Sequence, residues 1–158
     1  MTTTDAPEQA LTALDPGSTV PAHRTALSVR GYEIDALGHV AGTVYMQYAE
    51  HARWECLTAA GLPVNALLGA GVMPVILEIT LNYRTELRFG DGVEIGCVFH
   101  WGERKTATIT QRIERGDGAL AAEVTVLCGL LDLSSRKLVD KPRERLRELA
   151  TTPALLGV

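Results

Sequence analysis

The side chains best equipped for chemistry are gathered between positions 29 and 53. This stretch holds a carboxylate (Asp35), an imidazole (His39), two loop glycines (Gly38 and Gly42) and three tyrosines (Tyr32, Tyr45 and Tyr48). The hydrophobic pattern puts Asp35 just after a strand and Gly42 just before a long helix. A helix N-terminus presents N–H groups without intrahelical partners, together with a partial positive charge. A thioester carbonyl docked there would have its developing oxyanion stabilised. Asp35 could then attack the carbonyl or direct water onto it from the opposite side. Gly42 has no side chain, so a backbone N–H can come close to the carbonyl oxygen.

Each of these residues also has a plainer use. Aspartates cap loops and helix starts. His39 either titrates near the site or bonds loop backbone. Tyr45 and Tyr48 fall on the helix face as packing or pocket lining, and Thr43 and Tyr45 are the candidates there for substrate contact. Glu50 and Arg53, three apart, are expected to form a surface or interface ion pair. Arg104, Lys105 and Arg112 either meet phosphates or belong to a solvated face. His51 and His100 look incidental. Cys56 lies within the helix and has no base partner in sequence, which argues against a thiol nucleophile. No Gly-rich phosphate loop, Gly-x-Ser-x-Gly elbow or metal-ligand cluster is present, so no cofactor or metal is implied and a serine triad is disfavoured.

The elements that must position these groups are legible from periodicity. Alternation predicts a strand over residues 25–34, followed by a loop over 35–42. Val44, Tyr48, Ala52 and Cys56 recur every fourth residue, which predicts a helix over 43–60 with Thr43 as N-cap and Gly61 and Pro63 as stop signals. Its length of ~27 Å suffices to cross a sheet, and its alanines allow close approach. A short helical piece follows at 64–68. Strands are expected at 75–86, 93–101, 106–115 and 119–133, with a hairpin at Arg115-Gly-Asp-Gly and a charged helix over 143–150. The result is an α+β plan, with one long helix against consecutive antiparallel strands.

A chain of 158 residues fits one domain. The expected division is a flexible leader over 1–22, a single domain over 23–150 and a tail over 151–158. A net charge of -4 argues against a nucleic-acid partner. The cysteines Cys56, Cys97 and Cys128 sit far apart in apolar runs, as small core residues do. The start lacks the basic and apolar regions of a signal peptide, and no apolar run reaches the ~20 residues of a membrane span. A cytoplasmic protein with no membrane partner is the expectation.

The segment from Asp35 to Arg53 resembles the hotdog-fold acyl-CoA thioesterases of the 4-hydroxybenzoyl-CoA thioesterase type. Their motif reads Asp-x-x-Gly-His-Val-x-Asn-x-x-Tyr-x-x-Tyr-x-Glu-x-Ala-Arg. Asp35, Gly38, His39, Val40, Tyr45, Tyr48, Glu50, Ala52 and Arg53 match it at the same spacings. Tyr83-Arg-Thr-Glu-Leu-Arg-Phe-Gly-Asp is similar to a later family segment. One position departs, since Gly42 stands where the family usually has asparagine.

The resemblance implies a hotdog fold, a central helix wrapped by a curved antiparallel sheet of about five strands. It implies hydrolysis of an acyl-CoA or acyl-carrier-protein thioester. Asp35 would be nucleophile or general base and Gly42 the oxyanion donor, and on such a substrate the phosphates that Arg104 and Lys105 could meet are those of coenzyme A. Glu50 is kept in reserve, because some relatives use a helical acid. A homodimer or homotetramer with the site at the dimer interface follows as well. The rivals on this fold are a dehydratase or hydratase and a non-catalytic acyl-binding protein.

Overall fold

The computed structural model describes residues 22–158, so the leader expected over 1–22 falls, but for Ala22, outside the described residues. Five strands form one sheet: β1 (His23–Ser28), β2 (Val72–Tyr83), β3 (Gly92–Trp101), β4 (Thr106–Arg115) and β5 (Leu120–Asp132). Their order is β1-β3-β4-β5-β2, and every neighbouring pair is antiparallel. Helix α1 (Gly42–Ala59) packs against this sheet, with α2 (Val64–Gly69) and α3 (Pro142–Leu149) following in the chain. This is the expected α+β arrangement.

The period of each element explains the packing. On β4, Ala107, Ile109, Gln111 and Ile113 are buried while Arg112 is exposed. On α1, Val44, Tyr45, Tyr48, Ala49, Ala52, Cys56 and Leu57 turn inward. Ala49, Ala52 and Cys56 are wholly buried, and their small side chains bring the helix close to the strands. Burial of each larger apolar side chain stabilises the assembly by roughly 1.5–3 kcal/mol. Beyond the helix end, Gly61 takes φ +86°, the left-handed conformation that glycine supplies at a helix stop.

Three boundaries differ from expectation, each for a visible reason. β1 stops at Ser28 instead of running to residue 34, because Gly31–Glu33 coil into a 3-10 turn held by the Glu33 side chain. Thr43 is not the N-cap of α1. That position belongs to Ala41, which makes no side-chain cap bond. Backbone bonds from Val40 N to Leu87 O (2.8 Å) and from Ala41 N to Glu33 O (2.9 Å) fix the extended chain two residues earlier. β2 spans Val72–Tyr83 and not 75–86. It lies at the sheet edge, where Pro74 sits opposite Leu130 without breaking a ladder.

Beyond α3 the chain packs back on the core. Pro153–Leu156 form a 3-10 turn that buries Leu155 and Leu156. Trp101 Nε1 donates to Leu156 O at 2.7 Å, and Thr151 N donates to Ala60 O at 2.9 Å. Among the described residues, no helix is long and apolar enough to cross a membrane.

Candidate functional site

Asp35 organises its own loop. Its backbone N–H donates to His39 O at 2.8 Å, and Gly38 N donates back to Asp35 O at 3.1 Å. Its carboxylate oxygen Oδ1 accepts from Leu37 N (2.9 Å) and His39 N (3.4 Å). Gly38 has φ +79°, which closes the turn without the penalty a side chain would bring. A bridge between Ile34 and Val40 clamps the loop at its base. Asp35 remains exposed in the protomer. Two groups therefore fix one carboxylate oxygen, while Oδ2 accepts no bond among the described residues.

The helix begins where this loop ends. In the first turn the Gly42 and Thr43 N–H groups lack intrahelical partners, and both residues are exposed. Val44 N already bonds Ala41 O at 2.9 Å. Across this turn lies Tyr83, the last residue of β2. Its hydroxyl donates to Gly42 O at 2.8 Å. A Cβ placed on Gly42 would come within 3.1 Å of the Tyr83 hydroxyl oxygen. The Tyr83 ring meets Tyr45 edge-on, with centroids 5.2 Å apart.

Tyr45, expected as packing or substrate contact, is buried, and its hydroxyl accepts from Leu87 N at 3.3 Å. Burial raises its pKa. Its described role is to brace the 84–87 segment against α1. His39 is half-buried, with Nε2 3.7 Å from Glu86 Oε1. It meets Asp35 through its backbone, since no bond joins the imidazole to that carboxylate among the described residues. Glu86 in turn bonds Arg88 Nη2 at 2.7 Å, which is the main reason its carboxyl is held below the usual range.

Behind the loop lies a polar cluster that sequence reasoning missed. The buried Glu33 carboxylate accepts from Arg30 N (2.8 Å), from Arg30 Nη1 (3.1 Å) and from the Tyr48 hydroxyl. Burial alone would push Glu33 up, but these donors outweigh it and its pKa falls. The Tyr48 hydroxyl is pushed the other way, by burial first and by the carboxylate second. Tyr83 was missed as well. Its only sequence signal was membership of the segment similar to the family's.

One expectation is corrected. Glu50 and Arg53 form no ion pair among the described residues. Arg53 is buried and donates to Gln111 Oε1 at 2.9 Å. Gln111, held by Ala49 O at 2.8 Å, offers a better-desolvated partner than a surface glutamate. Arg104 and Lys105 are not beside Asp35 in the protomer. They occupy the β3–β4 hairpin, about 30 Å along β3 from the Gly92 end, and Lys105 Nζ pairs with Asp140 at 2.7 Å. Cys56, Cys97 and Cys128 are free and buried. Burial pushes Cys56 up to about 12 and Cys97 up to about 11, so neither is an available thiolate. Among the described residues no group of three or more side chains is arranged to hold a metal.

Comparison with known proteins adds to this geometry. A family model described as the thioesterase-like superfamily matches residues 29–149. The long-chain acyl-CoA thioesterase FadM of Escherichia coli (strain K12) is 25% identical over 130 residues, which cover 80% of this chain and 98% of FadM. The chloroplastic acyl-acyl carrier protein thioesterase ATL3 of Arabidopsis thaliana is 36% identical over 69 residues, 44% of this chain. The match spans only 36% of the plant protein's own length. The crystal structure of hypothetical protein AQ1494 from Aquifex aeolicus superposes with a TM-score of 0.72 at 27% identity, covering 80% of this chain and 98% of that one.

Proposed function

We propose, because this chain belongs to the thioesterase-like superfamily and has its hotdog fold, that it hydrolyses an acyl thioester carried on coenzyme A or on an acyl carrier protein. The observation that carries the reading is the position of Asp35. One of its oxygens is fixed by two backbone N–H groups, and its loop delivers the chain directly into the N-terminus of α1. The thioester oxygen lies against the Gly42 and Thr43 N–H groups, where the helix stabilises the negative charge that develops on it.

From there Asp35 acts in one of two ways. As nucleophile it bonds the carbonyl carbon, the carbon–sulfur bond breaks, and water then cleaves the resulting anhydride. As general base it takes a proton from water as the water oxygen bonds the carbon and the thiolate leaves. Both routes consume one water and yield a carboxylic acid and a thiol. His39 sits beside the site, its ring turned toward Glu86. That orientation favours hydrolysis over a dehydratase, which needs the imidazole and a carboxylate to share one proton path. The support for the 4-hydroxybenzoyl-CoA thioesterase type is the motif from Asp35 to Arg53, from whose usual asparagine Gly42 departs.

The working form is a homodimer. β2 is a long edge strand with Ile76 and Leu77 exposed, and such an edge asks to be covered. A two-fold axis across β2 turns the Val72 end of one copy toward the Tyr83 end of the other. The second copy's Arg104–Lys105 hairpin then lies at the same end of the assembly as Asp35, where coenzyme A phosphates would meet it.

Thiol release from a panel of aromatic and aliphatic acyl-CoAs and acyl carrier proteins tests the reading. Saturable release by the full chain supports it. A change in enoyl absorbance without thiol would point to the dehydratase, and binding without turnover to an acyl-binding protein.

A further inference from the structure

The first turn of α1 is the part of the candidate site that its own sequence holds least. Its N-cap, Ala41, makes no side-chain cap bond, and no acidic side chain lies in the turn. The next residue is Gly42, and glycine restrains its own backbone less than any other residue. A helix start with no cap frays readily. Yet the N–H groups that would face an oxyanion belong to Gly42 and Thr43.

A side chain from outside the helix holds this turn. Tyr83, the last residue of β2, donates its hydroxyl proton to Gly42 O at 2.8 Å. Its ring is braced in turn by Tyr45, which it meets edge-on at an interplanar angle of 88°. The Tyr45 hydroxyl is itself tied to Leu87 N. Tyr83 is 57% exposed, so water could have satisfied its hydroxyl. The hydroxyl bonds the helix backbone instead.

The acceptor gives that bond its consequence. Gly42 C=O and Thr43 N–H are the two sides of one peptide plane, and in a trans peptide they point in opposite directions. A bond received at the oxygen therefore fixes the plane, and with it the direction of the N–H on the far side. It also polarises the amide, which makes that N–H a stronger donor. Tyr83 O–H, Gly42 C=O, Thr43 N–H and a negative charge at the helix start form one hydrogen-bonded chain.

We propose that Tyr83 is a positioning residue, which aims and strengthens the Thr43 N–H through the Gly42 carbonyl. This rests on the hydrolysis reading, which supplies the oxyanion. It also gives Gly42 and Tyr83 a joint meaning. An asparagine at position 42 could bring a donor of its own, but its side chain would begin 3.1 Å from the hydroxyl. With glycine there, Tyr83 serves the same end from across the turn.

Tyr83→Phe keeps the ring against Tyr45 and deletes only the hydroxyl. Two measurements on the full chain read the result. In the amide NMR spectrum without substrate, the Thr43 proton should move upfield while amides in the last turns of α1 stay in place. In steady-state thiol release, kcat should fall about tenfold, less than the loss of an oxyanion donor outright. KM should stay within about twofold, because the interaction strengthens only in the transition state. Tyr83→Ala should lose at least as much, and Gly42→Asn/Tyr83→Ala should regain most of it through the asparagine amide. A tyrosine that only packs would lower the melting temperature or raise KM and leave kcat alone. A folded Tyr83→Phe with wild-type kcat overturns the proposal while the hydrolysis reading stands, and so does an unmoved Thr43 amide. A wild type that releases no thiol from any substrate removes the hydrolysis reading and the proposal with it.

Discussion

The Tyr83 hydroxyl donates to the Gly42 carbonyl at 2.8 Å and stands 3.1 Å from where any side chain at position 42 would begin. The two residues are therefore linked. A tyrosine occupies the space that an asparagine would enter, and glycine is the residue that leaves it room. Restoring the family's usual residue by Gly42→Asn should crowd this contact. Thiol release is expected to fall and stability to change by about 0.5 kcal/mol at most, because Tyr83 is exposed and can shift by the few tenths of an ångström required. Adding Tyr83→Ala should recover most of the lost thiol release. Equal losses with and without Tyr83→Ala in a double-mutant cycle would show that the residues are not coupled. Tyr83→Phe alone should cost under about 1 kcal/mol, since the hydroxyl is partly solvated.

Glu33 sets an acid limb on stability. Its pKa is lower in the folded chain than in the unfolded one, so the unfolded state takes up the proton first as pH falls. The carboxylate's contribution is complete above the ordinary glutamate range and is lost as pH drops through the folded value. Glu33→Gln should lower the unfolding free energy at neutral pH, read by urea, by about 1–2 kcal/mol for weakened bonds to a charged acceptor. It should also flatten the decline that sets in below the ordinary glutamate range, as pH falls toward the lowered folded value. A wild-type acid limb unchanged in Glu33→Gln would assign that limb to other carboxylates.

Gln111 holds a buried charge. It is 1% exposed and contributes the described acceptor of Arg53. Gln111→Leu removes that guanidinium's described acceptor and should cost about 1–3 kcal/mol. The double variant Arg53→Met/Gln111→Leu replaces the pair with apolar volume and should be markedly more stable than Gln111→Leu alone. Denaturant unfolding of the three chains reads the difference, and strict additivity would mean the two side chains are independent.

Edge strand β2 is the expected dimer seam. Leu77 is 51% exposed on it, and Leu77→Lys places a charge where the second copy would pack. Sedimentation or size-exclusion should show the wild type as a dimer or larger and Leu77→Lys shifted toward monomer, with thiol release falling in step. A wild type that is monomeric at assay concentration but active would remove the seam from the mechanism.

Much of this fold is legible in the sequence, and what is not has physical causes. Helix α1 and strand β4 showed themselves because one face of each is buried, so their 3.6- and 2-residue periods survive in the sequence. Arg53 misled because local spacing offered Glu50, yet an i,i+3 pair is worth only about 0.2–0.5 kcal/mol. Packing that turns Arg53 toward Gln111, 58 residues away, overrides it easily. Thr43 looked like a cap by residue type, but the cap was fixed at Ala41 by backbone bonds to Glu33 and Leu87. Tyr83 lies 41 residues from Gly42. Their contact depends on β2 ending at Tyr83, a boundary that local pattern had put three residues later.

The most direct test of Asp35 is Asp35→Asn, with thiol release measured beside the thermal melt. Asparagine keeps an Oδ1 to accept from Leu37 and His39, so the loop and the melting temperature should be preserved. It removes the carboxylate that attacks or takes the proton, so turnover should fall by a hundredfold or more, the scale expected for a lost base or nucleophile. A folded Asp35→Asn that releases thiol within a few-fold of wild type would contradict the assignment and move the chemistry to another carboxylate, with Glu50 next to be replaced.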